Sequence, residues 1–160
     1  KNGGRVIVGE PKVIPIDRTS AFDPIAFIGE GWSIVEQDER SLEFTEVDLT
    51  KVSFKTMLKD GEKTVVGEEK LKRLTASGDI CLDAKVFQTL WENQHLIPAS
   101  WKEPTNGNTT YVFFDGTILR GSSGRRCVLC LCWSVGEWSW RYYWLDNEWD
   151  AHDPSAVLAS

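Results

Sequence analysis

The sequence predicts an α+β domain: a C-terminal four-stranded antiparallel meander packed on one main helix, with a smaller N-terminal strand-and-helix portion. Two observations carry this prediction. Residues 111–145 alternate between apolar runs and tight-turn dipeptides, the signature of short strands joined by hairpins. Ala84, Phe87, Leu90 and Trp91 recur at the spacing of one buried helical face, behind Asp83 as an N-cap. At 160 residues the chain has the size of one domain, and 41% hydrophobic with 26% charged residues is globular composition rather than disorder. Residues 1–160 are therefore expected as a single unit. It has an extended arm over 1–16, a strand-and-helix portion over 22–98 and the sheet over 110–146.

Taken in order, Val6 to Ile16 reads as extended because Pro11 and Pro15 forbid a regular helix. A short helix follows, with Asp23 as N-cap, Pro24 at its first position, Phe22 stapled on Phe27, and Gly29 ending it. Trp32 to Glu36 reads as a strand leading into the charged turn Gln37-Asp38-Glu39-Arg40. Val52 to Leu58 fits either strand or helix. The turn Lys59-Asp60-Gly61 and a return strand at Thr64-Val65-Val66 favour a hairpin. Gly67 to Leu74 reads as a short helix closed near Gly78, and the main helix runs from Asp83 to about His95 before Pro98 stops it.

In the C-terminal half, Tyr111 to Phe114 and Thr117 to Arg120 form a hairpin around Asp115-Gly116. Arg126 to Ser134 and Glu137 to Leu145 form another around Val135-Gly136. That second turn places Trp133 opposite Trp138, Leu131 opposite Trp140, Leu129 opposite Tyr142 and Cys127 opposite Trp144. A slip of one residue destroys these apolar matches. The other face carries Cys132 with Ser139, Cys130 with Arg141, and Val128 with Tyr143, together with Arg126 and Thr117. Alternation in a half-buried sheet puts the aromatic face on the helix of Phe87 and Trp91 and the other face in water. Of the 8 Trp residues, 5 lie between Trp133 and Trp149, and this arrangement makes most of them core rather than ligand-stacking groups.

A net charge of −6 and a pI near 5.0 argue against coating duplex nucleic acid or anionic lipid. No apolar window approaches the roughly 18–20 residues of a membrane helix, and the first residues lack the apolar core of a secretory signal. Three of the four Cys crowd one strand, so reduced thiols and a cytoplasmic location are expected. As a strand, Cys127-Val128-Leu129-Cys130-Leu131-Cys132 points Cys127 and Cys130 to opposite faces. With no second ligand pair, neither a metal nor a cofactor is expected. Glu92 and His95 stand three apart, half of a di-metal carboxylate motif whose second half is missing. The tail Asp146 to Asp153 alternates carboxylates around His152, but Ala151 sits where a calcium loop requires Gly. No GxSxG, Walker A, GxGxxG or HExxH pattern occurs.

Several stretches resemble a family of short uncharacterised bacterial proteins, chiefly from uncultured candidate phyla. They are Gly31-Trp32-Ser33-Ile34-Val35-Glu36 with Asp38-Glu39-Arg40-Ser41-Leu42, Phe87-Gln88-Thr89-Leu90-Trp91-Glu92-Asn93-Gln94, Thr105-Asn106-Gly107-Asn108-Thr109-Thr110, Phe114-Asp115-Gly116-Thr117 and the closing residues 153–160. The resemblance implies a single soluble bacterial unit and nothing about mechanism. The leading functional expectation is a non-catalytic interaction module that binds a protein or small ligand. Its surface would be the Arg126, Arg141, Tyr143 face or an exposed Trp-rich edge. The runner-up is a small hydrolase-type enzyme using Glu92 and His95, or the acidic tail near His152. The third is single-stranded nucleic-acid binding, which requires a basic groove beyond the local cluster of Arg120, Arg125 and Arg126.

Overall fold

Strand pairing dominates the computed structural model, which describes residues 13–160, so the first twelve positions of the expected arm lie outside it. In chain order the N-terminal elements are β1 (Val13–Pro15), α1 (Pro24–Phe27), β2 (Ser33–Gln37), α2 (Glu39–Leu42), β3 (Glu46–Asp48) and β4 (Ser53–Lys55). Then come β5 (Thr64–Val66), α3 (Gly67–Ser77), β6 (Ile80–Cys81) and α4 (Ala84–Glu92). The C-terminal half adds β7 (Tyr111–Phe113), β8 (Thr117–Arg120), β9 (Arg126–Ser134), β10 (Glu137–Trp144), β11 (Glu148–Asp150) and β12 (Ser155–Leu158).

The expected four-stranded meander on one helix is replaced by an eight-stranded mixed sheet. Its path is β2-β8-β9-β7-β12-β4, with β10 on β9 and β6 on β12. β7 and β8 do not form a hairpin. Both pair antiparallel with β9, in line along one of its edges, while β10 takes the other. The Asp115-Gly116 pair that reads as a hairpin turn is instead a kink forced against β6. The Gly116 N–H donates to the Leu82 carbonyl at 2.9 Å and its carbonyl accepts from the Asp38 N–H at 2.8 Å. A Cβ at Gly116 would fall 2.2 Å from the Cys81 carbonyl oxygen, so only glycine permits the approach.

The expected hairpin across residues 52–66 is also absent. β4 pairs with β12 and β5 pairs with β11, because the C-terminal tail supplies a partner to each. Local punctuation is as the sequence reads. Asp23 accepts from the Ile25 and Ala26 N–H groups, Phe22 meets Phe27 at 5.5 Å, and Gly78 at φ 80° closes α3. The main helix ends earlier than expected, since Asn93 (φ −135°, ψ 61°) leaves the helical region and Gln94–Leu96 form a separate 3-10 turn.

The β9–β10 register matches the expectation at every pair, from Trp138 opposite Trp133 to Trp144 opposite Cys127. The side of β9 expected to be wet is dry, however. Cys127, Leu129 and Leu131 join α4 in the larger core, with Trp133, Trp138, Trp140 and Trp144 packed around it. Val128 and Cys130 join Phe113, Ile118, Leu145 and Trp149 in a second core flanked by Leu71 of α3. A strand buried on both faces carries a continuous apolar run, which Cys127 to Trp133 is.

At the β9–β10 turn, Val135 is 98% exposed and held at φ 54°, a left-handed conformation that a β-branched residue resists. Asn or Gly is favoured there. Val135→Asn is expected to stabilise the protein by about 1 kcal/mol, read as a higher urea midpoint at unchanged m. An unchanged or lower midpoint would contradict a strained turn.

Candidate functional site

The second core ends at a cleft of about 310 Å³ between β10 and the tail that follows β11. Arg141 and Tyr143 reach it from β10, because the register that turns Trp138, Trp140 and Trp144 toward the larger core turns these intervening side chains to the opposite face. Tyr111 reaches it from β7, and Asp150, His152 and Asp153 close the far wall. The tail is laced to β7 by Tyr111 N–H to the His152 carbonyl at 2.8 Å and Phe113 N–H to the Pro154 carbonyl at 2.9 Å. Two features that the sequence presents separately, the Arg141 and Tyr143 face and the acidic tail around His152, thus form one site.

Arg126 does not belong to it. Its guanidinium donates to Glu68 at 3.0 Å and to Glu36 at 3.4 Å, so its charge is already matched. Glu92 and His95 are not brought together either. The helix break at Asn93 separates them, both are exposed, and Glu92 accepts from its neighbour Gln88 at 3.1 Å. Nor does the Trp-rich edge stand free. Trp138 is buried, Trp140 meets Phe27 at 4.9 Å, and Trp144 stacks with Trp32 at 6.4 Å.

Within the cleft, Arg141 has no carboxylate partner among the described residues. The neighbouring Cys132 side chain raises its pKa above the ordinary value, so it is charged. Burial, reinforced by the charges of Asp153 and Asp150, lifts the Tyr143 phenol above its ordinary value, so it stays a neutral hydroxyl at neutral pH. That hydroxyl donates to the Glu148 carbonyl at 3.3 Å. Burial also lifts the Asp153 carboxyl, against the Asp150 N–H that donates to its Oδ2 at 3.0 Å. Asp150 Oδ1 lies 2.7 Å from His152 Nδ1, leaving Nε2 of the imidazole unengaged by this pair. The Cys130 thiol at the cleft is pushed well up by burial and is no nucleophile at neutral pH.

Ligand atoms of Asp150, His152 and Asp153 lie within 4.8 Å of one another, a span that suits a cation. Asp150 Oδ1 and Asp153 Oδ2 already accept hydrogen bonds there, and the grouping carries no metal assignment. Sequence reasoning placed Tyr111 only as the first position of a strand, and no local pattern shows that the acidic tail carrying Asp150 folds back beside it.

No known protein family, curated protein or solved structure matches the chain. Among the described residues no helix is long and apolar enough to cross a membrane.

Proposed function

We propose that the chain is a non-catalytic module that binds a small ligand through an anionic group held by Arg141. The observation that carries this reading is the pairing of the arginines. Arg18, Arg40, Arg73, Arg125 and Arg126 each have a carboxylate partner; of the two described arginines with no ion pair, Arg120 and Arg141, it is Arg141 that lines this cleft. A guanidinium presents a planar donor fork suited to a carboxylate or phosphate. Tyr111 and Tyr143 supply apolar faces beside it. Glu148 and Asp150 on the opposite wall favour a ligand whose other end donates hydrogen bonds or carries positive charge. The same carboxylates disfavour a nucleic-acid backbone, and a concave site suits a small molecule better than a flat protein epitope. The four buried thiols suit a reducing cytoplasm.

A thermal-shift screen of small carboxylates, phosphates and zwitterions tests this, followed by calorimetry on the best binder. Arg141→Ala is expected to weaken that binder at least about tenfold, with a thermal midpoint close to wild type because the side chain is exposed. Unchanged affinity in the variant would contradict the reading.

One observation favours a second reading. The Asp150–His152 contact at 2.7 Å orients an imidazole beside the same cleft, as a general base requires. Hydrolysis of activated esters that disappears in His152→Gln would support it. Turnover that is absent, or equal in the variant, would leave binding as the function.

A further inference from the structure

We propose a second ligand site, specific for a primary ammonium group on a short alkyl chain, in the cleft between α2, α3 and the Asp115 kink. It is separate from the Arg141 cleft and does not depend on it. The cleft has a volume of about 430 Å³. Asp115 lies on its lining and is 4% exposed. One carboxylate oxygen accepts the Ser155 hydroxyl, while Oδ2 is buried with no hydrogen-bond partner. A buried carboxylate oxygen left unsatisfied is costly, so one retained on the lining of a cleft points to a partner that enters from the cleft.

The neighbouring cations do not supply it. Lys70 attracts Asp115 electrostatically, but its ammonium donates to the Asp153 carbonyl at 2.7 Å and lies 4.5 Å from the Trp149 ring. It forms no ion pair with Asp115. Arg40 is held by Asp38 and by the carbonyls of Gly78 and Asp79 at 2.8 and 3.0 Å. Asp38 is itself filled by Arg40 and the Cys81 N–H.

The remaining lining selects the ligand class. Of the other carboxylates at the cleft, Glu36 faces Arg126 and Asp79 faces Lys55, while Glu39 has no ion pair among the described residues and joins Asp115 in favouring a cationic partner. Among the described residues these carboxylates do not gather three donor atoms around one point, so an N–H donor fits better than a metal ion. Leu71 and Ile118 offer an apolar wall for an alkyl stem, and Cys81 adds to it because burial keeps its thiol protonated.

Calorimetry and amide NMR with n-butylammonium, n-butanol and Mg²⁺ test the proposal on the whole chain. Butylammonium is expected to bind saturably and to shift the Asp115 and Gly116 amides. Butanol and Mg²⁺ are expected to produce no saturable signal there. Asp115→Asn should weaken butylammonium at least tenfold. Thr75→Arg, at an exposed position on the cleft, should block the site without touching the Asp115–Ser155 contact, so the test survives if the first variant unfolds. Arg141→Ala should leave butylammonium binding unchanged. The proposal is overturned by absent binding, by equal binding of butanol, by Mg²⁺ occupying the site, or by undiminished binding in Thr75→Arg.

Discussion

Asp83→Ala is expected to cost about 3–5 kcal/mol, the range for breaking a buried ion pair from one side. Asp83 sits where the N-terminal portion, α4 and the sheet meet, and its side chain is 1% exposed. Arg18 donates to it through two nitrogens at 2.8 and 3.1 Å, the Ser41 hydroxyl donates at 2.5 Å, and the Lys85 N–H completes the cap of α4 at 3.0 Å. Ala removes the cap and strands the guanidinium, which also donates to the Phe44 and Ser41 carbonyls. Urea unfolding at neutral pH measures the loss. A cost below about 1 kcal/mol would reduce Asp83 to an ordinary helix cap.

The same residue gives the acid limb of stability its sign. Burial opposes ionisation of Asp83, but the hydrogen bonds from Arg18 and Ser41 outweigh it and hold the carboxyl below the usual range. A depressed folded pKa means that the contribution is present above the unfolded carboxyl's pKa of about 3.9. It is lost as pH falls through the lower folded value. Asp83→Asn is therefore less stable at neutral pH, with a shallower decline below pH 4.

Trp149→Ala is the other large effect, also about 3–5 kcal/mol, because the indole is 0% exposed and its removal leaves a cavity. Trp149 meets Phe113 at 4.1 Å and Tyr143 at 5.5 Å, donates from Nε1 to the Trp144 carbonyl at 3.1 Å, and lies under the Lys70 ammonium. Its loss removes the packing beneath one wall of the Arg141 cleft and leaves the buried Lys70 only the more distant Phe113 ring, 5.7 Å away. Calorimetric unfolding reads the change. A loss near zero would mean that the second face of β9 is not a core, and would restore the wet face that alternation alone implies.

The β9–β10 hairpin was legible because every cross-strand pair on its aromatic face is apolar, so only one register survives. The neighbouring strands were not. β12 pairs with β4 about a hundred positions earlier, and a strand of three or four residues carries no mark of its partner. Asp115-Gly116 has the chemistry of a hairpin turn, and only the approach of the Cys81 and Leu82 backbone makes it a kink. The dry second face had a signal in Val128, Cys130 and Cys132, three apolar residues on a side assigned to water.

Arg141 and Tyr143 were legible as a pair on one face of β10. That His152 joins them depends on the tail folding back onto β7, which no local pattern announces. Arg126 shows the opposite case. Nothing near it in sequence reveals that Glu68 and Glu36, 58 and 90 positions away, match its charge.

Arg141, and not Arg126, is the guanidinium proposed to meet a ligand. Side-chain Nε–Hε NMR of the arginines, recorded while the best small anionic binder is titrated in, measures this directly. The Arg141 resonance is expected to shift and saturate, with Arg125 and Arg126 unmoved in their carboxylate pairs. A saturating shift at Arg126 with Arg141 unchanged would contradict the account.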